Sequence, residues 1–174
     1  MTVVFANHQR TKKINLRLLK QIVEALPADL EIAKAKLEIN LVTAPAITRL
    51  NEKFLHHKGP TDVIAFDYRT EGKADCPQPA AKPGAMGTGL REASPRRASR
   101  PALHGEIFIC VDEAVLQAHK FGTSWQSEVI RYLIHGVLHL AGYDDLRAVA
   151  RCKMKREEGR MLREITRHFP LSKL

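Results

Sequence analysis

The segment VIRYLIHGVLHLA, residues 129–141, is apolar on nearly every side of a helix. A helix of that kind cannot lie on a surface, so other elements must wrap it and it predicts a buried central helix. Thr123 and Gln126 have capping-box spacing ahead of it, and Gly142 follows as a stop. The helix is therefore expected from Ser124 to Ala141.

The rest of the chain supplies the wrapping. VVFA (3–6), KLEINLVT (36–43), DVIAFDY (62–68) and GEIFICV (105–111) read as strands, the second with Leu37, Ile39 and Leu41 alternating against polar neighbours. Asn15 reads as the N-cap of a helix to about Leu26, with Leu16, Leu19, Ile22, Val23 and Leu26 on one face and Pro27 as its stop. Thr43 or Pro45 opens another, carrying Ile47, Leu50, Phe54 and Leu55. A third runs from Asp112 or Glu113 to Phe121, ended by Gly122. The last is expected from about Asp144, in a capping role, to His168, burying Leu146, Val149, Met161, Leu162 and Ile165.

The expected fold class is α+β, one domain over 1–174, with a small mixed sheet of about four strands packed around the central helix. Residues 70–103 are rich in Pro, Gly, Ala and Arg with almost no large apolar side chains, and read as a disordered insertion between two strands. The three cysteines, Cys76, Cys110 and Cys152, are odd in number and widely spaced, which suggests a reducing compartment. No apolar run approaches membrane-spanning length and no signal-peptide core is present, so a cytoplasmic protein without a membrane partner is expected. The net charge of +9 biases partners towards polyanions without specifying one.

Chemistry concentrates in HGVLHLAGYDD, residues 135–145. His135 and His139 lie about 40° apart around a helix, so two imidazoles can grip one ion. Gly142 permits a sharp turn, from which Asp145 can swing back as a third ligand. Imidazole and carboxylate suit Zn²⁺, and three protein ligands leave a fourth position for water. The other reading of His135 and His139 is a hydrogen-bonded pair in the core. The general base of an H-E-x-x-H metallopeptidase is absent, because Gly136 stands in its place.

Three stretches in order resemble the YbeY-type endoribonucleases, metal-dependent rRNA maturation factors. HGVLHLAGYD (135–144) is similar to their H-G-x-L-H-L-x-G-Y-D-H signature. LNEKFLHHKGPTDVIAF (50–66) resembles their L-N-x-x-Y-R and P-T-D-V-L-S-F segment, and GEIFIC (105–110) their G-D-I-x-I strand. The resemblance implies a single-strand-specific endoribonuclease acting in 16S 3′-end maturation and ribosome quality control. It also implies one zinc per chain on His135, His139 and Asp145, with the two histidines catalytic. Ribosomal RNA precursors and the ribosome (30S and 70S) would be the partners, with no nucleotide cofactor.

Two positions depart from the pattern. The third ligand, usually histidine, is Asp145, and the family's arginine is Leu55, which leaves phosphate contact to His56, His57 or Lys58. Further RNA contacts are expected from Arg156, Arg160 and Arg163, part of a stripe with Lys153 and Arg167 on the last helix. Glu157, Glu158 and Glu164 interleave with that stripe, as they would on a merely solvated face. Arg91, Arg96, Arg97 and Arg100 cluster in the insertion. Leu55 favours a rival reading, a non-catalytic RNA- or ribosome-binding factor with a structural zinc. A zinc metallopeptidase is the remaining alternative, disfavoured by Gly136.

Overall fold

Period-2 patterning sets the sheet. In the computed structural model, which describes residues 1–30, 32, 34–69 and 102–174, four strands form: β1 (Thr2–Asn7), β2 (Lys34–Val42), β3 (Val63–Asp67) and β4 (Ala102–Cys110). They lie in the order β1-β2-β4-β3, with β1–β2 and β2–β4 parallel and β3–β4 antiparallel, so the sheet is mixed as expected. Leu37, Ile39, Leu41, Leu103, Ile107 and Ile109 point to one face and are buried there. Val42, Ile64, Phe66 and Cys110 occupy the other, under a smaller cluster.

The larger face carries α1 (Leu16–Asp29) and α4 (Trp125–Leu140). Asn15 caps α1 by accepting from the Leu18 N–H, and Leu19, Ile22, Val23 and Leu26 are buried. Helix α1 continues to Asp29, so Pro27 does not stop it. Proline's fixed φ is helical, and in the last turn its missing N–H costs a single bond. The smaller face is covered by α2 (Ala44–Leu50), which widens into a π-helical turn, Asn51–Leu55, ending at His56 with a left-handed φ of 56°.

Helix α4 is the predicted buried helix, with Ile130, Leu133, Ile134, Val137, Leu138 and Leu140 all buried. Its cap differs from expectation. Ser124 accepts from the Ser127 N–H, whereas the Thr123 hydroxyl donates to Glu128 Oε1 at 2.7 Å. Gly136 faces β4 so closely that a Cβ there would lie 2.8 Å from Ile107 Cγ2. The glycine after His135 is thus a packing requirement: it lets this turn of α4 sit directly on the sheet.

Helix α3 (Val111–Phe121) ends at Gly122 with a left-handed φ of 66°, as read from the sequence. Helix α5 (Ala148–His168) starts later than expected. Asp144 does not cap it: its side chain accepts from the Leu146 N–H in the preceding turn. Leu146 is 47% exposed and Val149 85%, not buried, because both fall outside the face that Met154, Met161 and Ile165 turn inward. Strand β4 begins at Ala102, with Leu103 buried, so the expected insertion cannot extend to 103. Its remainder, including Arg91, Arg96, Arg97 and Arg100, lies outside the described residues. Among those described, no helix is long and apolar enough to cross a membrane.

Candidate metal centre

One turn of α4 separates His135 from His139, and their rings converge until Nε2 faces Nε2 at 3.0 Å. The helix closes with the Tyr143 N–H donating to the Leu138 carbonyl and with Gly142 at φ 91°. That turn returns Asp145 to the histidines, its Oδ2 lying 3.8 Å from His135 Nε2 and 4.0 Å from His139 Nε2. These three residues are the group among those described that could hold a metal ion.

The outer ring nitrogens decide the chemistry of the inner ones. His135 Nδ1 is 3.0 Å from Glu158 Oε2, and His139 Nδ1 is 3.2 Å from the Tyr143 carbonyl. Both partners accept, so both Nδ1 atoms carry the proton. In the neutral rings each Nε2 then presents a lone pair, and the two lone pairs face each other beside a carboxylate. Three acceptors converging without a donor are stable only around a shared proton or a cation. The three atoms lie 3.0, 3.8 and 4.0 Å apart, near enough to share one ion, and imidazole nitrogen with carboxylate oxygen is a donor set that a divalent metal ion takes.

The same contacts separate the two histidines electrostatically. Burial works against a charged His135, but the hydrogen bond and charge of Glu158, with Asp62 and Asp145 adding, raise its pKa above the ordinary value. His139 is pushed down, by burial first and then by the neighbouring His135 charge. Burial would raise the Glu158 carboxyl, yet the hydrogen bonds and charges of His135 and Arg131 hold it below the usual range.

Glu158 is the residue that the sequence reading misplaced, as one of the acids on a solvated face. It is 8% exposed and also accepts from Arg131 Nη1 at 3.2 Å. Arg131 continues to Glu128, Nε to Oε2 at 3.3 Å. The missed signal was positional. Met154, Glu158, Met161 and Ile165 are spaced by four, three and four residues, so Glu158 sits in the apolar stripe of α5.

A cleft of about 730 Å³ opens beside the centre, lined by His135, Arg131 and Glu158 together with Asp62, Lys155 and Phe121. The residues expected to contact RNA do not line this cleft. His56, His57 and Lys58 are exposed in the segment after the π-helical turn, and none lines the cleft. Leu55 packs against the smaller core cluster. Arg156 and Arg163 are exposed on α5, and Arg160 is half-buried with both Nε and Nη2 donating to Glu157 Oε1. From α5 the cleft receives Lys155 and Glu158, neither of them anticipated as site residues.

Residues 4–166 match the sequence profile of the family Endoribonuclease YbeY. The chain belongs to this family. Proteins named Endoribonuclease YbeY include one from Salinibacter ruber, 33% identical over 129 residues, 74% of this chain and 69% of that protein. Another, from Geobacter metallireducens, is 30% identical over 148 residues, 85% and 83% of the two chains. A third, from Elusimicrobium minutum, is 34% identical over 137 residues, 78% and 79%. The solution structure of TM1509 from Thermotoga maritima shares the fold, with a TM-score of 0.58 over 94% of this chain and 89% of that one, at 22% identity. The YbeY motif region, 135–145, is the stretch that brings the two histidines and Asp145 together.

Proposed function

We propose that this YbeY-family chain, acting as one domain over 1–174, is a zinc-dependent endoribonuclease that cuts single-stranded RNA in 16S 3′-end maturation and ribosome quality control. Its partners would be rRNA precursors and 30S or 70S particles, and its compartment the cytoplasm. The observation behind this reading is the convergence of three ligand atoms, His135 Nε2, His139 Nε2 and Asp145 Oδ2, within 4.0 Å of one another.

His135 and His139 would hold the ion through neutral nitrogens, and Asp145 through one anionic oxygen. Two neutral ligands and one carboxylate leave net positive charge at a divalent site, which suits a phosphodiester. When bound, such an ion supplies a Lewis acid for a phosphate oxygen and a water acidic enough to ionise near neutral pH. Glu158 and the Tyr143 carbonyl fix both ring orientations, the usual task of groups behind metal-binding histidines. Phosphate contact along the strand would fall to His56, His57, Lys58, Arg156, Arg160 and Arg163.

The experiment is cleavage of a structured RNA by the purified chain with zinc added, against a chelated control, alongside metal analysis. Zinc-restored cleavage at unpaired positions supports the proposal, and its absence from zinc-loaded protein sinks it. Leu55, in place of the family's arginine, favours the second reading, an RNA-binding factor with a structural zinc. That reading requires one zinc per chain, RNA affinity and no cleavage.

A further inference from the structure

The cleft next to the histidines has a composition that zinc chemistry does not explain. Glu113, Gln117 and Phe121 recur at every fourth residue of α3 and line one wall. Pro60, Thr61 and Asp62 also line the cleft, as do Arg131 and His135 of α4. Its volume of about 730 Å³ falls within the ~300–1,000 Å³ of sites for small organic groups.

Phe121 is 64% exposed on this wall. Single exposed aromatics are common, but this one shares a cleft with a candidate metal ligand. The Lys120 ammonium lies 5.3 Å from its ring centroid. Two of the acids are already engaged, Glu128 by Thr123 and Arg131 and Glu158 by His135 and Arg131. Glu113 and Gln117 line the cleft half-buried and make no side-chain hydrogen bond to other described residues, so their acceptors are uncommitted there. Carboxylates repel a phosphate inside such a cleft. They accept hydrogen bonds from the amine and imino groups on a nucleobase edge.

We infer that this cleft receives one unpaired nucleobase of the RNA strand, stacked on Phe121, with its edge towards Glu113 and Gln117. The inference rests on the endoribonuclease reading and deepens it by naming what selects single strands. A paired base has both faces stacked and its edge engaged, so it cannot enter. A free base gains a ring to stack on, a contact worth roughly 5- to 150-fold in affinity. Lys120 and Lys155 would meet the flanking phosphates.

The test measures binding of a fluorescein-labelled single-stranded oligoribonucleotide to the full chain in excess chelator, so that no cleavage intervenes. Phe121→Ala should weaken binding about tenfold, while Phe121→Tyr, which keeps the stacking face, should stay within about twofold. For the same oligonucleotide annealed into a duplex, the parent and both variants should bind alike. A series of single abasic substitutions should contain one position at which the parent falls to the level of Phe121→Ala. Equal single-strand binding by Phe121→Ala and the parent would overturn the base pocket, and so would an equal loss on the duplex. The two readings fail separately. Zinc-loaded parent that cuts RNA while Phe121→Ala binds normally removes only the pocket. Parent that shows the Phe121-dependent binding and never cuts removes only the nuclease.

Discussion

Removing the Glu158 carboxylate should damage the candidate metal centre from behind. In Glu158→Ala the His135 Nδ1–H loses its acceptor at 3.0 Å and Arg131 loses one of two carboxylate partners. A hydrogen bond to a charged group is worth about 1.5–3 kcal/mol when buried. The Arg131 side chain is 36% exposed and keeps Glu128 at 3.3 Å, so solvent replaces much of that second contact. The loss should be about 2–3 kcal/mol, roughly 5–10 °C in melting temperature for a chain of this size. Zinc affinity should fall further than stability suggests. With no acceptor behind it, the His135 ring is free to turn or to move its proton to Nε2, and loss of such a partner typically costs about 10- to 100-fold. Glu158→Gln retains one carbonyl oxygen and should fall between parent and alanine. Competitive zinc titration and thermal melting of the chelated protein separate the two effects. Zinc affinity within about twofold of the parent in both variants would refute the orienting role.

Asp145→Ala should bind zinc weakly and lose metal-dependent cleavage, with the melting temperature of chelated protein almost unchanged, because among the described residues the Asp145 carboxylate pairs only with the two histidines; Asp145→His should keep both properties in the same assays. Gly105→Ala should cost about 3 kcal/mol or more in denaturant unfolding, since its Cβ would sit 2.4 Å from the Phe66 carbonyl oxygen and 2.8 Å from Leu140 Cδ2. Gly136→Ala gains about 1 kcal/mol of helix propensity, yet must push Ile107 away, so a net loss of about 1 kcal/mol with weakened zinc binding is expected from melting and titration. The depressed Glu158 carboxyl stabilises the fold above its ordinary value of 4.5, and that contribution disappears as pH falls from there through the lower folded value. Chelated parent should therefore lose melting temperature across that acid range more steeply than Glu158→Gln.

Periodicity made the architecture legible. The alternation of Leu37, Ile39 and Leu41, the stripe from Leu19 to Leu26, and the all-round apolar α4 each correspond to an element whose burial depends on little but its own pattern. The cluster of His135, His139 and Asp145 was legible because its members fall within eleven residues and Gly142, at φ 91°, turns the chain between them. What escaped depended on partners far along the chain. Glu158 looks like a surface acid until α5 is docked against His135, twenty-three residues earlier. Leu146 and Val149 are apolar at helical spacing, but the helix starts only at Ala148 and its inward face begins later. The cleft residues Asp62, Phe121 and Lys155 come from the segment before β3, from α3 and from α5, and no local pattern marks them as neighbours.

Arg131, His135, His139, Asp145 and Glu158 all lie on a single helical hairpin, α4–turn–α5, whereas the sheet depends on partners as distant as Asn40 and Phe108. The hairpin and the sheet are therefore expected to order on different schedules during synthesis and refolding. Closing a loop of about ten residues takes ~10–100 ns, while strand pairing across long separations is intrinsically slow. The histidines and Asp145 can approach one another before the sheet exists, so some zinc affinity is expected of the unfolded chain. Binding to the unfolded chain subtracts from ligand-induced stabilisation. Zinc should consequently raise the melting temperature by less than its native-state affinity alone dictates, and refolding in its presence should begin from a chain whose C-terminal half is already gathered around the ion.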